Sequence, residues 1–361
     1  MNQPAQGAAR SLVLTADEAL LDELLRLAAA AGVEVDVASD PVAARPRWQA
    51  APLVVVGDDQ AESAAGQLGR RPQVILVGLD RADVSIWRRG VALGADQVVY
   101  LPDVEHWLVE RFADAAEETG RDALVVGVMG GRGGAGASVL AVALAVTSAR
   151  RGLGTTLIDL DPLGGGIDLL LGAEDCPGLR WPDFADTRGR LASAALRDAL
   201  PERHGLTVLS WGRGHVVTIP PPAVRAVVSA ARRGGDAVVL DMPRRLDAAT
   251  EEALELCTCT LLVVPAEVRA VAAAARVALG LTAVTADVRV VLRGPSPSGL
   301  GAVEVSDALG LPVVAEMDSE THLDDRLDRG EPPAQTGRGT IADACDEVLD
   351  DLVSATGVWA A

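Results

Sequence analysis

The stretch that decides the fold is ALVVGVMGGRGGAGASVLAVALAVTSAR, residues 123–150. It opens on a short apolar run rich in β-branched residues, passes through GRGGAGAS at 131–138, and continues as twelve helix-compatible residues. Strand, glycine turn and helix in that order form the setting of a phosphate-binding loop. The glycines let backbone N–H groups turn inward, and the helix N-terminus presents its positive end to an anion. Against the template G-x-x-x-x-G-K-[ST], Gly131, Gly136 and Ser138 are in place, but Ala137 stands where the lysine belongs. Taken alone, the segment fits a tight strand-to-helix turn as well as a phosphate cradle.

Moving outward, further apolar runs at 154–161, 206–212, 236–243, 260–266, 288–294 and 312–317 alternate with helical stretches. That alternation predicts a parallel sheet of about seven strands. Asp161 and Asp241 fall at the carboxyl ends of two runs, the edge at which open α/β sheets bind ligands. On its own Asp241 fits a turn carboxylate or a ligand-facing group, and Ser138 fits a helix cap. Arg132 fits a surface loop residue or, because guanidinium binds phosphate bidentately, a phosphate contact.

The N-terminal part has the same style, with strands expected at 11–16, 33–38, 53–57, 73–78 and 97–101, and helices at 17–31, capped by Asp17, and 104–116. The expected organisation is an α/β chain: a doubly wound domain over 1–116, a linker at 117–122 (EETGRD), a phosphate-loop domain over 123–333, and a tail over 334–361. The tail carries an amphipathic helix with Ile341, Ala344, Cys345, Val348, Leu349 and Leu352 on its apolar side and five carboxylates opposite.

With 361 residues, two domains are the natural count at about 150 residues each. All 32 basic residues are arginine, and the net charge of −19 excludes general attraction to nucleic acid or anionic lipid. Nine aromatic residues leave little for base stacking. The four cysteines make neither a disulfide framework nor a zinc pattern and read as buried thiols. The arginine pairs at 150–151, 232–233 and 244–245 read as solvated. With no signal-peptide order and no apolar run near 20 residues, a soluble, cytoplasmic protein is expected. The acidic tail helix argues against direct membrane insertion.

The N-terminal unit resembles a response-regulator receiver domain, most clearly in ALGADQVVYLPDVEHWLVERFADA, residues 92–115. Asp58 and Asp59 follow its third strand, but Leu101 precedes Pro102 where a receiver has lysine. The resemblance therefore implies a pseudo-receiver used for docking, with Asp58 the position at which any phosphorylation would occur.

The second unit resembles the ParA/MinD group of P-loop proteins, of the SIMIBI type with a deviant Walker A loop. That group's K-G-G-x-G-K-[ST] aligns with Arg132-Gly133-Gly134-Ala135-Gly136-Ala137-Ser138, so both lysines are replaced. LIDLDPLGGGIDLLLG at 157–172 resembles the next motif and supplies Asp159, Asp161, Asp168 and Gly172; AVVLDMP at 237–243 resembles Walker B. Leu292-Arg293 stands at the base-reading pair, and GEPP at 330–333 resembles the loop that closes over nucleotide. By resemblance, Gly131, Gly133, Gly134, Gly136, Ala137 and Ser138 bind ATP, Ser138 and Asp241 hold Mg²⁺ through water, and Asp161 orients attacking water. A pseudo-receiver in front resembles the CpaE-like branch. This implies a homodimer that meets cell-division or pilus and secretion proteins, is recruited to septum or pole, and regulates septum placement or polar machine localisation. Hydrolysis is expected to be weak or absent. The alternative is an active ATPase switch using Arg132 and cycling between monomer and dimer.

Overall fold

The computed structural model describes residues 10–117, 123–187, 189–214 and 217–356. The chain divides into two compact units between residues 120 and 121. The expected linker at 117–122 lies, apart from Glu117, outside the described residues, as do the last five residues of the expected tail.

In the first unit, strands β1 (Ser11–Leu14), β2 (Val35–Ala38), β3 (Val54–Gly57), β4 (Val74–Gly78) and β5 (Gln97–Tyr100) form a parallel sheet in the order β2-β1-β3-β4-β5. Strands β1, β3 and β4 are wholly buried, as continuous apolar runs covered by helices on both faces should be. One face packs Leu12, Leu14, Val54, Val56, Val74 and Leu76 with Trp48; the other packs Val13, Val55, Ile75 and Val77 with Leu108 and Phe112. Alternation along each strand makes these two cores. Asp17 caps the helix Glu18–Ala30 by accepting from the N–H groups of Ala19 and Leu20.

In the second unit, β6 (Leu124–Gly130), β7 (Thr155–Asp159), β8 (Glu202–Arg203), β9 (Leu206–Leu209), β10 (Ala237–Met242), β11 (Cys259–Pro265), β12 (Val288–Arg293) and β13 (Val313–Met317) form one sheet. Its order is β13-β12-β11-β6-β10-β7-β9-β8. Every neighbouring pair is parallel except β8 with β9. The sequence pattern missed β8 because two exposed residues carry no periodicity.

Strand β6 lies at the centre between β10 and β11, so the chain leaving Gly130 enters the helix Ala137–Arg150 from the middle of the sheet. That helix is buried continuously from Leu140 to Ser148, as an all-apolar helix must be. Its outer side is covered by the C-terminal helix Thr340–Thr356, which buries Ile341, Ala344, Cys345, Val348, Leu349 and Leu352. The acidic side of this last helix is tied to its own unit: Arg151 pairs with Asp346 at 2.6 Å and Asp350 at 2.7 Å, and Arg289 pairs with Asp351. No helix among the described residues is long and apolar enough to cross a membrane.

Candidate functional site

At the carboxyl edge of the second sheet, where β6, β7 and β10 end side by side, a cavity of about 420 Å³ opens. The loop from Arg132 to Val139 forms one wall; Asp159, Asp161 and residues 164–167 form another; Asp241, Met242 and Arg244 complete it. The edge position follows from topology, since the loops after parallel strands gather on one side.

The loop geometry explains its glycines individually. Gly136 has φ +94° and stands at the N-cap of the helix Ala137–Arg150, which has no side-chain cap. The first-turn N–H groups therefore face the cavity as an anion site. Gly133 and Gly134 have open space where a Cβ would sit, so a ligand can approach their backbone closely. Gly131 behaves differently: its N–H donates to the Val263 carbonyl at 2.8 Å, and a Cβ there would come within 2.7 Å of Ala274. It is not on the cavity wall, and its small size serves packing between loop and helix Val268–Val284.

Asp159 and Asp241 lie side by side on paired strands, both buried. Burial pushes the Asp241 carboxyl up to about 7, with the negative charge of Asp159 adding to it and a hydrogen bond from Ser138 opposing it. Burial likewise raises Asp159 to about 6, against hydrogen bonds from the N–H groups of Asp161 and Ile167. A lysine at position 137 would place compensating charge in this loop; the alanine leaves the carboxylates without it. Ser138 and Asp241, hydrogen-bonded and both on the cavity wall, suit a hard cation approached through water, which would relieve the charge on Asp241. The loop fits phosphate through its backbone, so the donor set suits a polyphosphate with Mg²⁺, without the loop lysine.

Asp161 also lines the cavity; its N–H donates to Asp159 and its carboxylate accepts from the Leu163 N–H at 3.0 Å. Asp168 stands away from the wall, where it accepts from Arg213 at 2.9 Å. Gly330 packs on Gly172, where a Cβ would meet the Gly172 Cα at 2.6 Å. Thus the 330–333 segment supports the turn ending at Gly172 and does not line this cavity. Arg293 donates to the Gly134 carbonyl at 3.0 Å and braces the loop.

Arg132 lines the cavity, but its Nη2 is 2.8 Å from Glu267 Oε1. The sequence reading missed three partners here: Glu267, Arg244, and Trp181, whose indole N–H donates to the Asp159 carbonyl. Only Arg244 left a signal, as half of an arginine pair directly after the Asp241 strand.

In the first unit the acidic residues are engaged. Asp59 accepts from the Thr15 hydroxyl at 2.7 Å and the Ala16 N–H at 2.8 Å. Arg89 approaches Asp58 at 3.5 Å and Asp83 at 2.6 Å. Burial raises the Asp58 carboxyl despite Arg89, whereas hydrogen bonds from Ser85 and Arg89 hold Asp83 down at about 2. No group of His, Cys, Asp or Glu among the described residues is arranged to hold a metal unaided.

The fold is that of a CheY-like N-terminal domain followed by a parallel-sheet domain of MinD/ParA-like fold. A family model described as the Rv3660c-like, CheY-like N-terminal domain matches residues 14–123. Mycobacterium tuberculosis Rv3660c is 44% identical over 343 residues, 93% of this chain and 96% of its own. The chain belongs to the Rv3660c family. Among solved structures, the ParA family ATPase of Chlorobium tepidum is similar at TM-score 0.57 and 17% identity, covering 63% of this chain and 99% of its own. The septum site-determining protein MinD of Pyrococcus horikoshii, complexed with Mg-ADP, is similar at TM-score 0.56 and 18% identity, covering 65% and 98%. At those identities the likeness is one of fold.

Proposed function

We propose that this protein is a spatial regulator of septum placement, or of a polar pilus or secretion machine, built on a nucleotide-binding fold whose hydrolysis is weak or absent. One observation carries the second half: the cavity retains its glycine loop, Ser138 and Asp241, yet presents Ala137 at the lysine position. Phosphoryl transfer depends on electrostatic stabilisation of developing charge at the γ-phosphate. Losing that charge beside three carboxylates removes the driving element while leaving a site that can bind. ATP with Mg²⁺ is the proposed ligand, loosely held; Ser138 and Asp241 are the proposed metal pair, and Asp161 the group that would orient water.

The localising role follows the fold relationship to MinD and the resemblance to the CpaE-like branch, in particular to the actinobacterial septum site-determining protein Ssd. The first unit serves as a docking pseudo-receiver, since Arg89 already occupies the acidic surroundings of Asp58. A cytoplasmic homodimer recruited by division or pilus proteins completes the reading. The Arg132-driven ATPase cycle draws no support from this geometry, because Glu267 neutralises that guanidinium.

The experiment is ATP turnover by wild type and by Ala137→Lys. Wild-type turnover indistinguishable from background, with a gain in the variant, supports the proposal. Wild-type hydrolysis at the rate of a working MinD overturns it.

A further inference from the structure

We propose that Arg244 is the side chain that meets the phosphates in this cavity. It would act from the end of β10, the strand beside the one that feeds the glycine loop, in place of the missing loop lysine. The proposal rests on the reading that the loop accepts a nucleotide, and it adds which residue supplies the positive charge.

The cavity wall carries two cationic side chains, Arg132 and Arg244, beside Asp159, Asp161 and Asp241. An anion entering there meets a wall whose carboxylates outnumber its cations, so whichever guanidinium is free decides whether a polyphosphate is tolerated. Arg132 is engaged with Glu267 at 2.8 Å. Arg245, next in sequence, is engaged with Asp247 at 2.6 Å and lines a different hollow. Arg244 is exposed and makes no ion pair or hydrogen bond among the described residues.

Its position is fixed by the chain. Asp241 is the penultimate residue of the buried strand β10, which ends at Met242; Pro243 follows, and Arg244 is the second residue beyond the strand. The strand holding the proposed metal carboxylate thus also delivers a guanidinium to the same opening. An unpaired arginine retains its conformational freedom until a ligand orders it. Two parallel N–H donors then suit a phosphate far better than a single point charge would.

The test is calorimetric titration of the full-length protein with ATP·Mg²⁺, pyrophosphate·Mg²⁺ and adenosine. The variants are Arg244→Ala, Arg244→Lys, Arg132→Ala and Arg245→Ala, each checked for fold by circular dichroism. Arg244→Ala should weaken ATP and pyrophosphate roughly ten- to a hundredfold, the worth of a bidentate charged contact. Arg244→Lys should recover part of that loss, and Arg245→Ala should match wild type. Adenosine binding, whatever its strength, should not respond to Arg244. If wild type binds ATP and pyrophosphate and Arg244→Ala binds them equally, Arg244 is not the phosphate contact and the nucleotide reading survives. If Arg132→Ala alone abolishes binding, the assignment passes to Arg132. If folded wild type takes up neither ATP nor pyrophosphate at millimolar concentration, the nucleotide reading falls and this proposal with it.

Discussion

Arg132, on the cavity wall, and Glu267 are joined by an ion pair of 2.8 Å, linking the glycine loop to the start of the helix Val268–Val284. Both side chains are more than a third exposed, at 36% and 46%, so the pair contributes little to stability. Its effect is on charge: the carboxylate holds the guanidinium in place of a phosphate.

Glu267→Gln should therefore leave the unfolding free energy within about 0.5 kcal/mol of wild type. It should strengthen ATP·Mg²⁺ binding several-fold by freeing Arg132. Urea denaturation and calorimetric titration check the two halves. Weaker binding in the variant would show that Glu267 organises the loop.

The buried pair Asp159 and Asp241 predicts a pH dependence of definite sign. Both folded-state values, about 6 and about 7, lie above the ordinary carboxyl value. Between roughly pH 4 and 7 the folded state therefore holds more protons than the unfolded one, and this pair's contribution to stability falls as pH rises. Asp241→Asn should gain on wild type as pH rises from 4.5 to 8. Melting temperatures across that range test it, and a constant difference would count against ionisation of the pair.

Two glycines of the same loop should behave oppositely. Gly133→Ala meets nothing within 4 Å and should fold with wild-type stability while losing affinity for polyphosphate. Gly131→Ala presses on Ala274 at 2.7 Å and should cost about 1–3 kcal/mol, the usual range for overpacking. Denaturation curves for both variants, with titrations of the folded protein, separate packing from binding.

The C-terminal helix should prove integral to its unit. Leu349 is 1% exposed against the helix that follows the loop, so Leu349→Ala should cost about 2–5 kcal/mol. Arg151→Ala, which removes exposed ion pairs to Asp346 and Asp350, should cost less than about 1 kcal/mol. Equal losses in the two would mean that charge, not burial, holds this helix.

The strands were legible because their signal is local. Apolar runs such as 124–130 and 259–265 are buried on both faces, and a residue with no polar face needs no knowledge of its neighbours to be placed in a core. Asp161, Asp241 and Ser138 were legible for a related reason: strand ends and loop-to-helix junctions fix their own location at the sheet edge. The two-residue β8 was too short to leave a pattern.

The sequence by itself determined that this is an α/β chain with a glycine loop lacking its lysine, since those facts depend on residue order and on the 2.0 and 3.6 periodicities of the backbone. Only the tertiary structure decided which charges answer one another. Glu267 is 135 residues from Arg132, and Asp159, whose charge disfavours ionisation of Asp241, is 82 residues from it. Coulomb interaction depends on separation in space and on the surrounding dielectric. Neither is a property of the chain until the sheet has brought β6, β7 and β10 together.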